Sequence, residues 1–215
     1  FVPHDQFLQL LHAVSNAWNS TEERQKMLDS STALTKHLIK LSQPPKIPAK
    51  KLGTSALKRF FQQSRESFDP KNGGFSYAPK FPPSMAIMVL LRIFNRTGSQ
   101  EALNMATKSL DAMARGGIND QLGGGFHRYS TDEKWLVPHF EKMLYDNALL
   151  VLAYTEAYQI TKNLEYKVIV SQILNYVLSE LMNKDGGFYS AEDADSDKTE
   201  GKYYVWSFKE LQNTL

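Results

Sequence analysis

The 215-residue chain contains no cysteine. That excludes disulfide scaffolds, thiol nucleophiles and thiolate metal sites from it. It has no apolar run near the roughly 18 residues that a membrane-spanning helix needs. Its formal net charge is only +2, which argues for neither nucleic acid nor an anionic membrane as a partner. Lys50, Lys51, Lys58 and Arg59 form a small basic cluster, more in keeping with a solvated helix start than with a binding patch. The N-terminus Phe1-Val2-Pro3-His4-Asp5 lacks the basic and apolar regions of a signal peptide and has no initiator Met. The other end stops inside an apparent helix start at Ser207–Leu211. Both ends read as cuts in a longer protein, and the composition names no compartment. Several cofactor and catalytic templates are missing too. There is no G-x-x-x-x-G-K-[ST], no G-x-G-x-x-G, no H-E-x-x-H and no G-x-S-x-G, so no cofactor is expected.

What is present is ordinary for a globular protein, with 42% hydrophobic and 22% charged residues, and one phrase occurs three times. Gly73-Gly74-Phe75, Gly124-Gly125-Phe126 and Gly186-Gly187-Phe188 lie 51 and 62 residues apart. Repeats of this size mark one supersecondary unit copied along the chain. Apolar periodicity predicts helices over about 53–67, 83–97, 99–115, 138–161 and 164–182. Strand signals are confined to short pieces such as Tyr203–Trp206. Ahead of these, Phe7, Leu10, Leu11, Val14 and Trp18 form a helical stripe. Ser20-Thr21-Glu22-Glu23 then opens a second helix, which gives a helical hairpin. Pro44-Pro45-Lys46-Ile47-Pro48 cannot continue a helix and reads as a linker. The expected division is therefore 1–48 and 49–215.

The first two copies align as Pro79-Lys80-Phe81 with Pro138-His139-Phe140, each Pro placed in a first helical turn. In that alignment Lys80 replaces His139. The loop after each Phe lengthens through the three copies, and in repeat proteins such insertions mark the binding face. The second copy is the richest in chemistry. It carries His127, Arg128, Tyr129 and Trp135, then His139, Glu141, Tyr145 and Asp146. Histidine suits proton transfer near neutral pH. The blander alternative is that Arg128, Asp132, Glu133, Lys134 and Glu141 form salt bridges, while Asp146 and Asn147 bond an adjacent turn. The third copy offers Glu192-Asp193-Ala194-Asp195-Ser196-Asp197. Read as a calcium loop from Asp193, it has Lys198 where Gly is needed and Tyr204 where Glu is needed. The match fails, and no metal is expected. His4, His12 and His37 read as ordinary helix residues.

Two long stretches, Gly116–Tyr129 and Trp135–Ala148, together with the three Gly-Gly-Phe phrases and Glu192-Asp193-Ala194-Asp195-Ser196, resemble the spermatogenesis-associated, thioredoxin-domain-containing protein family. The resemblance covers nearly the whole chain. It implies an all-α fold, part of an α/α toroid like that of six-hairpin glycosidases and sugar 2-epimerases. It also implies a thioredoxin-like domain elsewhere in the full-length protein, with residues 1–48 as its connector. The expected ligand is a sugar-like small molecule. In an epimerase-like reading, His127 and His139 exchange a proton at a sugar carbon and Arg128 stabilises the developing oxyanion. Tyr129, Trp135 and Tyr145 then line the ring site. In a hydrolase-like reading, two of Glu141, Asp193 and Asp195 act as acid and base. The alternative from another class is a non-catalytic binding or scaffold module. An open toroid would expose an apolar helix face, so the isolated fragment is expected to self-associate.

Overall fold

The computed structural model describes residues 2–43 and 53–214. The expected linker at 44–48 and the lysines at 50 and 51 lie outside the described residues. The chain divides into two units, Phe1–Leu52 and Gly53–Leu215. The first contains α1 (His4–Asn19) and α2 (Thr21–Ser42). Ser20 starts α2 by accepting the Glu23 amide at 3.4 Å, the cap its sequence predicted. Neither helix buries a residue within the unit. The α1 stripe of Phe7, Leu10, Leu11, Val14 and Trp18 is about half exposed throughout.

The second unit holds the core. Its helices are α3 (Ser55–Ser67), α4 (Ser84–Thr97), α5 (Gln100–Arg115), α6 (Leu144–Thr161) and α7 (Leu164–Tyr176), with a short α8 (Phe208–Thr214). A single wide turn, Val177–Leu181, extends α7. Ile87, Leu90 and Leu91 on α4 are fully buried. They pack with Ala102, Ala106 and Leu110 of α5 and with Leu150, Ala153 and Ala157 of α6. The alanines recur four apart, so each helix offers one low face to its neighbour. Each large aliphatic side chain so buried stabilises the unit by about 1.5–3 kcal/mol. Ser99 and Asn163 cap α5 and α7 through the amides of Ala102 and Glu165. Tyr154 donates from inside the core to the Leu110 carbonyl at 2.8 Å. No helix among the described residues is long and apolar enough to cross a membrane.

The repeated phrase is a turn between helices, and two copies are locked alike. Asp69 accepts the amides of Lys71 and Asn72 on one oxygen, and the buried Lys80 ammonium on the other at 2.6 Å. Lys80 also reaches the Gly73 carbonyl at 2.9 Å. Asp120 accepts the amides of Leu122 and Gly123, and the buried Lys142 ammonium at 2.7 Å. Lys142 also reaches the Gly124 carbonyl at 3.0 Å. The lysine structurally equivalent to Lys80 is thus Lys142. The alignment of Lys80 with His139 is corrected by eleven residues of loop that the second copy inserts.

The second glycine of each pair makes room for an aromatic ring from the next copy. An added β-carbon at Gly74 would lie 2.7 Å from the Trp135 ring, and one at Gly125 would lie 2.4 Å from the Tyr176 ring. Both glycines have positive φ, which side chains adopt only with strain. The third turn begins at Asn183 and carries no charged lock. Asn183 instead accepts the Asp185 amide and its own amide donates to the Gly187 carbonyl.

Three two-stranded ribbons tie the loops together. Strand β1 (Tyr129–Ser130) pairs antiparallel with β2 (Pro138–His139), placing Tyr129 opposite His139. Strand β3 (Lys142–Met143) pairs with β4 (Ala191–Glu192), and β5 (Asp195–Ser196) pairs with β6 (Thr199–Glu200). Residues 138–143 are therefore extended, and α6 starts only at Leu144. The predicted helix start at Pro138 is corrected: the segment finds its backbone partners in β1 and β4 instead of in its own next turn. Tyr203–Trp206 is turn and irregular backbone, not strand.

Candidate active site

Extended backbone sends successive side chains to opposite faces, and that alternation sorts the second copy's motif. Phe140 and Lys142 point inward. His139 and Glu141 lie on the other, partly exposed face. Just before β1 the alternation breaks: His127 turns in, while Arg128 and Tyr129 both reach the side of Glu141 and His139. The Arg128 amide donates to the Glu141 carbonyl at 2.7 Å, and its guanidinium donates to the Glu141 carboxylate at 2.7 Å.

His139 sits between two carboxylates. Its Nδ1 lies 2.6 Å from a Glu200 oxygen, and its Nε2 lies 3.7 Å from the Glu141 oxygen that Arg128 holds. A carboxylate only accepts, so Nδ1 carries the proton. With the ring neutral, Nε2 is left as the basic nitrogen. The imidazole stacks on Tyr129 at 4.9 Å, and Phe81 packs on Tyr129 at 4.8 Å. Tyr129 thus holds His139 between neighbours rather than offering an open platform. Tyr145 is half exposed at the start of α6. Beside it, Asp146 is buried with one carboxyl oxygen lacking any partner. Burial pushes its carboxyl up to about 6, Arg128 pulls it back and Glu141 pushes it further up.

The inward face makes a separate, buried cluster. His127 donates from Nδ1 to the Phe140 carbonyl at 2.9 Å and meets Tyr204 edge-on at 4.8 Å. Burial, and then the Lys142 charge, push this imidazole down to about 4. Lys142 lies 4.3 Å from the Tyr176 ring centre and 5.1 Å from that of Tyr204. The Tyr176 hydroxyl donates to Glu192 at 2.8 Å.

The structure brings together Arg128, Tyr129, His139, Glu141 and Tyr145 of the expected set. It separates His127, Trp135 and Asp193 from them, while Asp195 stands beside Glu200 as its cross-strand partner. His127 is buried with its Nδ1 on the Phe140 carbonyl, whereas His139 is partly exposed between Glu141 and Glu200. Trp135 is buried against Gly74 and donates to the Asn72 carbonyl, so it lines the core and not a ring site. Asp193 is spent on the Asp195 amide, and Asp195 is exposed opposite Glu200 in β5. The third copy's acid that reaches the site is Glu200. It is carried there by the two-residue turn Asp197-Lys198, both at positive φ. Asp146 and Lys142 were also missing from the expected site. The recurrence of an aspartate four residues before the first glycine, followed by a lysine, was the signal available for Lys142. Asn147 does bond the adjacent turn, accepting the Phe126 amide and donating to its carbonyl. Asp146 does not.

A groove of about 610 Å3 lies elsewhere, between α3 and α4. Leu57, Phe61, Val89 and Ile93 line it, with Lys58 and Arg96 at the rim. It contains none of the acid–base groups above.

No family model matches the chain. The human protein named spermatogenesis-associated protein 20 is 41% identical over 97% of this chain. The chain belongs to the spermatogenesis-associated protein 20 family. It spans 28% of the length of that human relative. Among solved structures, a cellobiose 2-epimerase from Bacillus thermoamylovorans superimposes with a TM-score of 0.57 at 16% identity, covering 71% of this chain and 46% of that one. A sugar epimerase from a ruminal bacterium gives 0.56 at 16% identity, over 64% and 40%. These superpositions show the fold alone, helical hairpins arranged as in an α/α toroid.

Proposed function

We propose that this part of the family's toroid carries the proton-transfer side of a carbohydrate-directed enzyme, with His139 at its centre. The observation that carries the reading is the placement of His139. Glu200 accepts its Nδ1 proton, which leaves Nε2 as a basic nitrogen at the protein surface. Glu141 and Arg128 stand next to it. An imidazole oriented by a carboxylate is a suitable general base, and it returns the proton as imidazolium. Arg128 is 38% exposed and stabilises a negative oxygen formed when a proton leaves the carbon beside a sugar carbonyl. Glu141 fixes that guanidinium. The reaction class is isomerisation of a sugar, with the imidazolium returning the proton to the neighbouring carbon, or epimerisation, with a second acid delivering the proton to the opposite face. The ligand is a sugar-like small molecule, and the thioredoxin-like domain is a partner within the full-length chain.

This reading replaces the exchange between two histidines with a single base, because His127 is closed off from the surface. The test is solvent deuterium incorporation into a panel of free sugars by the full-length protein, followed by proton NMR. Incorporation that falls at least 100-fold in His139→Ala, and that persists in His127→Phe, is the expected result. Equal incorporation in wild type and His139→Ala would sink the reading.

A scaffold reading draws on a different observation. The inward half of the same motif, Lys142, His127 and Asn147, makes only structural contacts. A folded full-length protein that binds no sugar in the panel would favour it.

A further inference from the structure

The two locked turns differ in what hangs on the lock. In the first copy, the residues one and three positions before the locking lysine are Pro79 and Tyr77. In the second copy, the same positions hold Glu141 and His139. Lys142 is 1% exposed and bonded on two sides, to Asp120 and to the Gly124 carbonyl. The rings of Tyr176 and Tyr204 flank it, and Phe140 stacks on Tyr204 at 5.4 Å. The β3 backbone of Lys142 also pairs with Glu192 of the third copy's loop, the loop that delivers Glu200. Both carboxylates around His139 thus run through one lysine. Glu141 precedes it in the chain, and Glu200 belongs to a loop anchored on its strand.

We infer that Lys142 is a positioning residue of the site: the buried lock it forms with Asp120 sets where His139 stands between Glu141 and Glu200. The equivalent Lys80–Asp69 lock meets neither carboxylate: its backbone pairs with Ser130 of β1 and Phe81 packs on Tyr129, so it reaches His139 only through the Tyr129 ring. Lys142 touches no reacting atom in this arrangement. Its effect passes through the rigid extended segment 139–142, whose alternate side chains face the lock and the site. The inference rests on the reading of His139 as the site's centre.

The test uses the full-length protein and needs no turnover, so it stands or falls separately from the proposed reaction. Diethylpyrocarbonate acylates neutral imidazole nitrogen. Its rate at His139, followed against pH by peptide mass spectrometry, reports how the ring is held. Lys142→Met is expected to change the His139 rate at least 5-fold and to displace the midpoint of its pH profile. Lys80→Met is expected to lower the melting temperature by a similar amount while leaving the His139 profile within twofold of wild type. Asp120→Asn and Asp69→Asn form a milder pair that keeps side-chain volume, should the methionine variants fail to fold. An unchanged His139 profile in the folded Lys142 or Asp120 variant overturns the inference. So does an equal change in the Lys80 or Asp69 variant, because the lock would then act only through global stability.

Discussion

Lys80 closes on Asp69 across 11 residues, and Lys142 closes on Asp120 across 22. The two turns otherwise share their hydrogen bonds, their glycine pair and an aromatic ring from the next copy pressed against the second glycine. The extra residues of the second copy, 128–138, carry Arg128 and Tyr129 and lead directly into His139. A turn whose geometry is fixed by a buried ion pair tolerates a longer loop between its anchors, because doubling a loop costs only about 0.6 kcal/mol. The comparison separates two uses of one device: a fastening in the first copy, and a fastening that also holds a displayed segment in the second.

The largest expected effect tests whether the fastenings are equal. Breaking either ion pair leaves a partly buried carboxylate that keeps its two backbone amides, so Lys80→Met and Lys142→Met should each cost about 1–3 kcal/mol in urea unfolding. A difference of more than about 2 kcal/mol between them would end the equivalence. Burial pushes both aspartates up, but their lysines and amides outweigh it and hold both below the ordinary carboxylate range. That stability is present above the unfolded carboxylate pKa and is lost as pH falls through the folded one. Acid unfolding of wild type should accordingly be steep, and shallower in the lysine variants.

Comparable in size is the pH response that sets the copies apart. Where the second copy has His127, the first has Ser76. His127 is pushed down to about 4 from an ordinary 6.5. The neutral ring therefore contributes stability above pH 6.5, lost as pH falls toward 4. About 3 kcal/mol is at stake. His127→Gln should flatten the stability profile between pH 4 and 6.5, while Ser76→Ala leaves it unchanged.

Asp146 runs the opposite way. Its carboxyl is raised to about 6, so ionising it costs stability as pH rises through 4 to 6. Asp146→Asn should gain about 1–3 kcal/mol at pH 8 and nothing at pH 4, measured by urea unfolding at both values. The smallest effect belongs to the site itself. Glu200 is half exposed, and Glu200→Gln should change stability by less than about 1 kcal/mol. A functional pair on a structural frame should show that profile. A larger loss would make His139–Glu200 a fastening too.

The helices were legible because their signals are local. The α3, α4 and α5 boundaries and the start of α7 fall within one or two residues of those read from apolar spacing and turn residues. Six residues from Pro138 to Met143 were not legible. A proline followed by mixed polar and apolar residues satisfies a helix start as well as a strand, and only pairing with segments 9 and 49 positions away decides between them. A helix there would set His139 and Lys142 on one face, whereas the extended backbone points them apart. His139, Glu141 and Arg128 were found because they are crowded into one motif. Glu200 was missed because its role depends on a turn that carries it across the fold, past the more conspicuous Asp193 and Asp195. The unburied α1 stripe shows the reverse error: periodicity gave the helix correctly and said nothing of what covers it.

The His139–Glu200 contact joins residues 61 positions apart. As a chain grows from its N-terminus, α4, α5 and α6 have their core partners before residue 200 has been made. The imidazole is then present, stacked on Tyr129, without the carboxylate that fixes its proton. Completing the site therefore takes a short surface hairpin from far along the chain, not the core helices alone.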